Sequence, residues 1–362
     1  GEGTSRSGPL RNYVDDAERK LRYDPALEVH DLGSVLVYAV YEAFLRIVAR
    51  RTDSLIRIAT AGSGVLPRGN LHPDLVKRLT AETCKVARQI LHMCIRALDY
   101  CPPVDITFGE YLRAVITSDM DAIADDDRAY RIAFMEAFRR RGIVPRDVRT
   151  ISQESLAWNT PRDRSPAWLT TALDQIDLKT NHDLDRKALY ALNKQNCRKL
   201  WEVLNQTFLD DPECCAQLGL LDDVGKFDQQ GNEIAAAGPV RRTNFDVHSV
   251  RAARRVGADG TFLNEVVIVI TQRRPVPIDG KDKRNGWFWF RGGATLIVDP
   301  RKGREAIRYC IVKHCGSAGR LERQRRHAGG ASGSALRAMY FGHDVREPFA
   351  LLHGGYRGQD NE

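Results

Sequence analysis

Apolar positions along this chain keep a helical period over its first half and change period once. From His30 to Arg51 the text reads HDLGSVLVYAVYEAFLRIVARR, the most apolar continuous segment present. Leu32, Val35, Leu36, Ala39, Val40, Ala43, Phe44, Ile47 and Val48 recur at three- and four-residue spacing, so one broad helical face is apolar and a second nearly so. The pattern predicts a buried core helix. Glu42 and Arg46 fall in its middle and leave no uninterrupted run of about 18 apolar residues, which speaks against a membrane span.

Further helices follow. ATAGSGVLPRG (59–69) has the composition of a surface loop, and it lacks both a third glycine and the Gly-Lys-Ser/Thr ending of a phosphate loop. A second long helix is expected from Pro73, a residue suited to a first turn, to about Leu98. Its inner face would hold Leu75, Leu79, Val86, Ile90, Met93, Ala97 and Leu98. After CPPVD, Thr107 and Glu110 have the spacing of a capping box, with Ile106 and Tyr111 placed as its hydrophobic staple. That helix would use Phe108, Leu112, Val115 and Ile116 and end near Ser118. The next, Arg128 to Arg141, would turn Tyr130, Phe134, Ala137 and Phe138 inward, take its cap from the preceding aspartates and stop at Gly142.

From 150 to 183 the text is irregular and reads as a linker, followed by helical spacing over Asp185 to Phe208. Then the period becomes that of strands. Phe245 to Val256 and Phe262 to Thr271 flank Gly257-Ala258-Asp259-Gly260, whose Asp-Gly pair signals a hairpin. Trp287 to Phe290, Ala294 to Val298 and Ile307 to Lys313 add strands, the last two joined through DPRKG. The expected class is α+β: a mostly helical N-terminal lobe (1–148), an irregular and helical linker region (149–240), and a small antiparallel β-sheet domain with a basic C-terminal segment (241–362).

Composition supports two globular cores. The chain has 362 residues, 43% hydrophobic and 28% charged, with a net charge of +8. Residues 1–150 hold 23 Lys+Arg against 21 Asp+Glu, and 301–327 alone hold nine basic and two acidic residues. An anionic partner would therefore meet the C-terminal part. The eight cysteines form no CxxC pair and no regular spacing. They read as reduced thiols of a cytoplasmic protein.

Few residues offer themselves for chemistry. The aspartates from Asp119 to Asp127 lack the glycine and glutamate an EF-hand loop requires. Cys310, His314 and Cys315 are the one Cys/His cluster, but on a strand 310 and 314 share a face that 315 does not. RLERQRRH (320–327), with Arg301, Lys302, Arg304 and Arg308 before it and Trp287 to Phe290 on a neighbouring strand, invites a nucleic-acid reading. Those aromatics alternate faces in pairs, however, and a charge run is usually a solvated surface. His30 stands at the mouth of the first long helix. A helix N-terminus disfavours a charged imidazole, so a histidine donating a hydrogen bond there needs a carboxylate nearby; Asp24, Glu28 and Asp31 are in reach in sequence. Such an arrangement could stabilise an oxyanion.

Two segments carry a resemblance. VHDLGSVLVYAVYEAFLRI resembles the part of thermolysin-type zinc peptidases, the gluzincins, where a histidine precedes a small-residue turn and a long buried helix. IRALDYCPPVDITFGEYLRAVITSDMDAIADDDRAYRIAFMEAFRRRGI is similar to the close of the same helical lobe, with its Arg-Ala-Leu, Pro-containing turn, Phe-x-x-x-Leu-Arg helix opening, acidic loop and final Ala-Phe helix ending in Gly. The likeness spans about residues 22 to 145. It implies that His30 donates a hydrogen bond to the tetrahedral oxyanion of peptide hydrolysis, with Glu28 and Asp24 as candidate orienting carboxylates. It also implies catalytic zinc and a peptide or protein substrate. None of the nine histidines is followed by Glu, so the zinc-binding HExxH is absent. The resemblance thus implies the C-terminal portion of a longer metallopeptidase, partnered by an N-terminal zinc-binding part of the same protein and inactive as this chain alone. The alternative is a non-enzymatic binding protein that keeps the lobe as a scaffold and uses its basic β-domain for an acidic or nucleic-acid partner. Neither reading places it in a membrane.

Overall fold

The structure is a computed structural model that describes residues 4–5, 8–9, 21–27, 29–66, 68–161, 165–178, 185–234, 243–256, 262–280, 283 and 286–330. It is an α+β protein that divides into two compact units. One comprises Gly1–Cys101, Ile106–Pro161 and Arg254–Leu263; the other comprises Pro102–Asp105, Arg162–Ala253 and Asn264–Glu362.

The first unit is built from α1 (Val29–Ala59), α2 (Pro73–Ala97), α3 (Phe108–Ala122), α4 (Tyr130–Arg140) and the short α5 (Gln153–Leu156). Helix α1 packs against α2 and α4 through Val35, Ala39, Ala43 and Ile47, all essentially without exposure. By length and composition α1 could cross a bilayer; 33% of its most apolar window is buried, the innermost stripe lying against neighbouring helices. It runs eight residues beyond the expected Arg51 because nothing there breaks it: the Thr52 hydroxyl donates back to the Val48 carbonyl at 2.8 Å and Arg57 pairs with Asp53 at 3.0 Å. Helix α2 buries Val86, Ile90, Met93 and Ala97 as expected, whereas Leu98 enters a 3-10 turn and is exposed.

Local signals around α3 and α4 are realised in detail. Both halves of the Thr107–Glu110 capping box form, and Leu112, Val115 and Ile116 are fully buried. The helix continues past Ser118 to Ala122, where its last-turn aspartates are held by partners, Asp119 by Arg131 at 2.8 Å and Asp121 by the Tyr100 hydroxyl. The Asp126 carboxylate accepts from the amides of Tyr130 at 2.7 Å and Arg131 at 3.0 Å, capping α4. Tyr130, Phe134, Ala137 and Phe138 are inside, each worth roughly 1.5–3 kcal/mol of burial for the larger side chains. Gly142 ends the helix at φ +74, a conformation a side chain would resist. A strap over 151–161 closes the unit: the Arg113 guanidinium lies 3.8 Å from the Trp158 ring centroid, and the Trp158 indole donates to the Tyr100 carbonyl at 2.9 Å.

The second unit contains α6 (Ala167–Gln175), α7 (Arg186–Asp210), α8 (Glu213–Gln217), a two-residue ladder of β1 (Lys226–Phe227) and β2 (Glu233–Ile234), and a four-stranded sheet ordered β3-β4-β5-β6. Its strands are β3 (Asp246–Val256), β4 (Phe262–Pro277), β5 (Trp287–Val298) and β6 (Ile307–Lys313), followed by α9 (Ala318–Gly329). β4 and β5 pair antiparallel from Val266↔Val298 to Pro277↔Trp287, and β5 and β6 from Gly293↔Lys313 to Val298↔Ile307. Val266, Ile268, Ile270, Ala294, Leu296 and Val298 share one face and form a single core with Trp168, Leu169, Leu200, Leu204 and Phe208. Residues read from sequence as a connecting region thus supply α6, α7 and α8 to the sheet's own core. A smaller cluster of Val276, Phe288, Phe290, Cys315 and Ala328 lies under α9.

Two strand boundaries differ from expectation. Trp287–Val298 is one strand where two were expected, Trp287–Phe290 and Ala294–Val298. Gly292 and Gly293 between them permit close approach: a Cβ on Gly293 would lie 2.0 Å from the Ile270 carbonyl oxygen and one on Gly292 2.4 Å from the Cys315 nitrogen. β4 continues past Thr271 to Pro277 even though Pro275 and Pro277 lack the donors that normally mark a strand.

Candidate functional site

His30 occupies the first turn of α1, half-buried. Its carbonyl accepts from the Ser34 hydroxyl at 2.9 Å, and Ser34 is itself buried, so the turn carrying the imidazole is fixed from within the helix. The chain leading to it is fixed from outside. The Tyr23 amide donates to the Arg141 carbonyl at 2.7 Å, and Arg141 Nη1 donates to the Leu21 carbonyl at 3.3 Å. Arg141, buried at the end of α4, also lies over the Tyr38 ring at 5.3 Å and has Nε 3.3 Å from Glu42 Oε2. Glu42 further pairs with Arg46 at 3.2 Å, and Arg46 reaches Glu136 of α4 at 2.5 Å. The two polar residues that interrupt the apolar run of α1 are therefore the ones that lock it to α4.

The proposed orienting carboxylates fare differently. Asp24 is exposed and its Oδ1 accepts from the Ala26 amide at 2.9 Å, while its carbonyl accepts from Leu27 at 3.1 Å. This is an Asx-type turn, which shapes the approach to His30. Glu28 lies outside the described residues. Asp31 is exposed in the first turn of α1.

Beside this entry, α1, α2 and the start of α3 leave an open apolar groove of ≈ 770 Å³, lined among others by Val37, Phe44, Leu91, Leu98, Ile106 and Phe108. His30 is not among its lining residues. Tyr111, also at the groove, donates to the Cys94 carbonyl at 3.1 Å, and burial pushes its phenol well above the ordinary range. The groove was hidden in the sequence behind an apolar pattern wider than one core face requires.

Among the described residues no set of side chains fits a zinc ion: no group of three or more His, Cys, Asp or Glu side chains converges. β6 ends at Lys313, so His314 and Cys315 sit in the turn beyond it and not on the strand; His314 is exposed and Cys315 fully buried against Phe288 and Phe290. Burial pushes the Cys310 thiol up to about 11, away from the thiolate a metal needs. Cys214 and Cys215, pushed up to about 11 and about 12 by the same cause, are core thiols.

The basic and aromatic residues of the second unit are largely engaged. Phe288 and Phe290 are in the core under α9, and Trp289 is buried with Arg273 stacked 4.6 Å from its ring and Phe227 edge-on at 6.3 Å. Arg320 donates to the carbonyls of His314 and Arg291, each at 2.8 Å, and Arg325 to that of Pro277 at 3.3 Å. Trp287 is half-buried, edge-on to Trp289 at 5.1 Å. No family model matches the chain, and neither a curated protein nor a solved structure matches it.

Proposed function

We propose that the helical unit forms one wall of the active cleft of a peptidase, with His30 donating a hydrogen bond to the oxyanion that develops when a peptide carbonyl is attacked. The observation that supports this reading is the half-buried His30 in the opening turn of a long helix whose own packing, and whose approach segment, are tied to α4 through Arg141. A transition-state donor is effective when held on a rigid element before the substrate arrives. The order of elements, from the His30 helix through the capped α3 and the aspartate-capped α4 to Gly142, agrees with the zinc-peptidase resemblance of residues 22 to 145. Because no histidine of the chain is followed by Glu, this reading assigns the metal ligands to an HExxH-bearing part of a longer protein. This chain alone then neither holds catalytic zinc nor hydrolyses peptides. Asp24 contributes through the Asx turn that delivers the chain to His30, and Glu28 remains the second carboxylate assigned to orient it.

The eight cysteines are all free thiols, which agrees with a reducing compartment such as the cytoplasm.

Reading the DNA upstream of the Gly1 codon tests the proposal directly. An in-frame HExxH supports it; a start codon with no such motif favours the binding-scaffold reading, as would steeply salt-dependent nucleic-acid binding by the chain. Tight binding of one zinc together with peptide cleavage by the isolated chain would overturn the division of the site.

A further inference from the structure

Helix α2 presents three different stripes. Val86, Ile90, Met93 and Ala97 face the core, and Ala87, Leu91, Cys94 and Leu98 line the apolar groove. On the opposite flank Lys85, Gln89, His92 and Arg96 recur at helical spacing, with Arg88 beside them. Lys85, Arg88 and His92 are exposed and Gln89 and Arg96 half-buried, and all five border a concavity of ≈ 330 Å³, with buried Met93 in its lining and Asp119 of α3 and Ile123 just beyond that helix as its far wall.

The carboxylate lining this pocket already has a cation: Asp119 pairs with Arg131, Nε to Oδ2 2.8 Å. Lys85, at the pocket's edge, pairs with Glu82 outside it at 2.7 Å. Among the described residues Arg88, His92 and Arg96 make no ion pair within 4 Å, although Arg96 is near enough to Asp119 to favour its ionised form. The pocket therefore holds an excess of positive charge with arginine forks available, and a guanidinium fork matches phosphate oxygens bidentately. Arg88 and Arg96 are two helical turns apart, about 12 Å along the axis, with His92 between them. That separation is more than one phosphate spans, so both guanidinium forks can hold one ligand only by converging along their long side chains onto two linked anionic groups. The volume is that of a small-molecule pocket.

We propose that this pocket binds a small molecule carrying a diphosphate, or two closely linked phosphates, gripped by Arg88 and Arg96 with Lys85 and His92 at its edges. The site is independent of His30 and of the peptidase reading.

Isothermal titration of the full chain with pyrophosphate tests it. Wild type should bind, and Arg88→Gln/Arg96→Gln should weaken binding at least about ten-fold, as expected for loss of two charge-assisted contacts. Arg323→Gln/Arg326→Gln on α9 should leave it unchanged. If the first pair fails to fold, Arg88→Gln alone, at an exposed position, carries the same test. Absence of binding to wild type, or equal weakening by both pairs of substitutions, would overturn the proposal. So would tighter binding of a single-stranded oligonucleotide than of pyrophosphate, lost in the same Arg88 and Arg96 variants.

Discussion

Arg131 and Asp119 form an ion pair inside the helical unit, Nε to Oδ2 2.8 Å, with 2% and 6% of their side chains exposed. The guanidinium is completed by the Gln153 side-chain oxygen at 2.8 Å and the carbonyls of Ile123 and Ala124. It ties α4 to the end of α3 and to α5. Burial pushes the Asp119 carboxyl above its ordinary value, with Arg131 opposing that shift. Arg131→Met should destabilise the unit by about 3–5 kcal/mol, because it strands a buried carboxylate, and adding Asp119→Leu should recover much of the loss. Urea denaturation of the single and double variants checks both halves. A single variant as stable as wild type would remove Arg131 from the core of the account.

Thr107 closes a reciprocal cap at the start of α3. Thr107→Ala should cost about 1 kcal/mol, while Thr107→Ser should be close to neutral because the hydroxyl is retained. The comparison is made by thermal or chemical denaturation.

Glu82 accepts from Lys85 and Arg51, which hold its carboxyl down to about 2 from an ordinary 4.5. A carboxylate lowered in the folded state contributes stability that is fully present above its unfolded pKa and is lost as pH falls through the folded one. Stability should therefore decline between about pH 4.5 and about pH 2, and Glu82→Gln should remove that part of the acid sensitivity while costing up to about 1 kcal/mol at neutral pH. Denaturation midpoints of both proteins across this range decide it.

Gly293 has φ +146 and no room for a Cβ beside the Ile270 carbonyl. Gly293→Ala should destabilise the second unit by more than about 2 kcal/mol, through strain and through separation of β4 from β5. Loss of protection of the β4 and β5 amides in hydrogen exchange would locate the effect, and unchanged protection would contradict it.

Cys84 is exposed, whereas burial pushes Cys101 up to about 12 and Cys214 and Cys215 comparably high. A thiol reagent at pH 8 should modify Cys84 promptly and leave those three intact until the chain is unfolded. Peptide mapping after a timed reaction reads this out.

In the longer protein of the peptidase reading, His30→Ala should lower kcat by about 10²–10³ and leave KM nearly unchanged, since the hydrogen bond is made mainly in the transition state. An effect carried by KM alone would assign His30 to substrate binding.

What was legible in the sequence was local. The capping box at Thr107, the Asp126 cap, the stop at Gly142, the inward face of α4 and that of α2 from Val86 to Ala97 depend on residues within a turn or two of one another, and each formed as its spacing implied. The sequence also located His30 at a helix entrance. What the tertiary structure decided was where distant segments meet. Glu42 and Arg46 looked like interruptions of an apolar helix and became its link to α4, because the partners, Arg141 and Glu136, are nearly a hundred residues away. Leu98 had the periodicity of a core residue and lines an open groove, since burial depends on what packs against a face and not on the face alone. β5 read as two strands, Trp287–Phe290 and Ala294–Val298, because only the neighbouring strand shows that a side chain has no room at the glycines between them. The charges of α2 were visible as residues, but the concavity that gathers them exists only once α3 stands beside it.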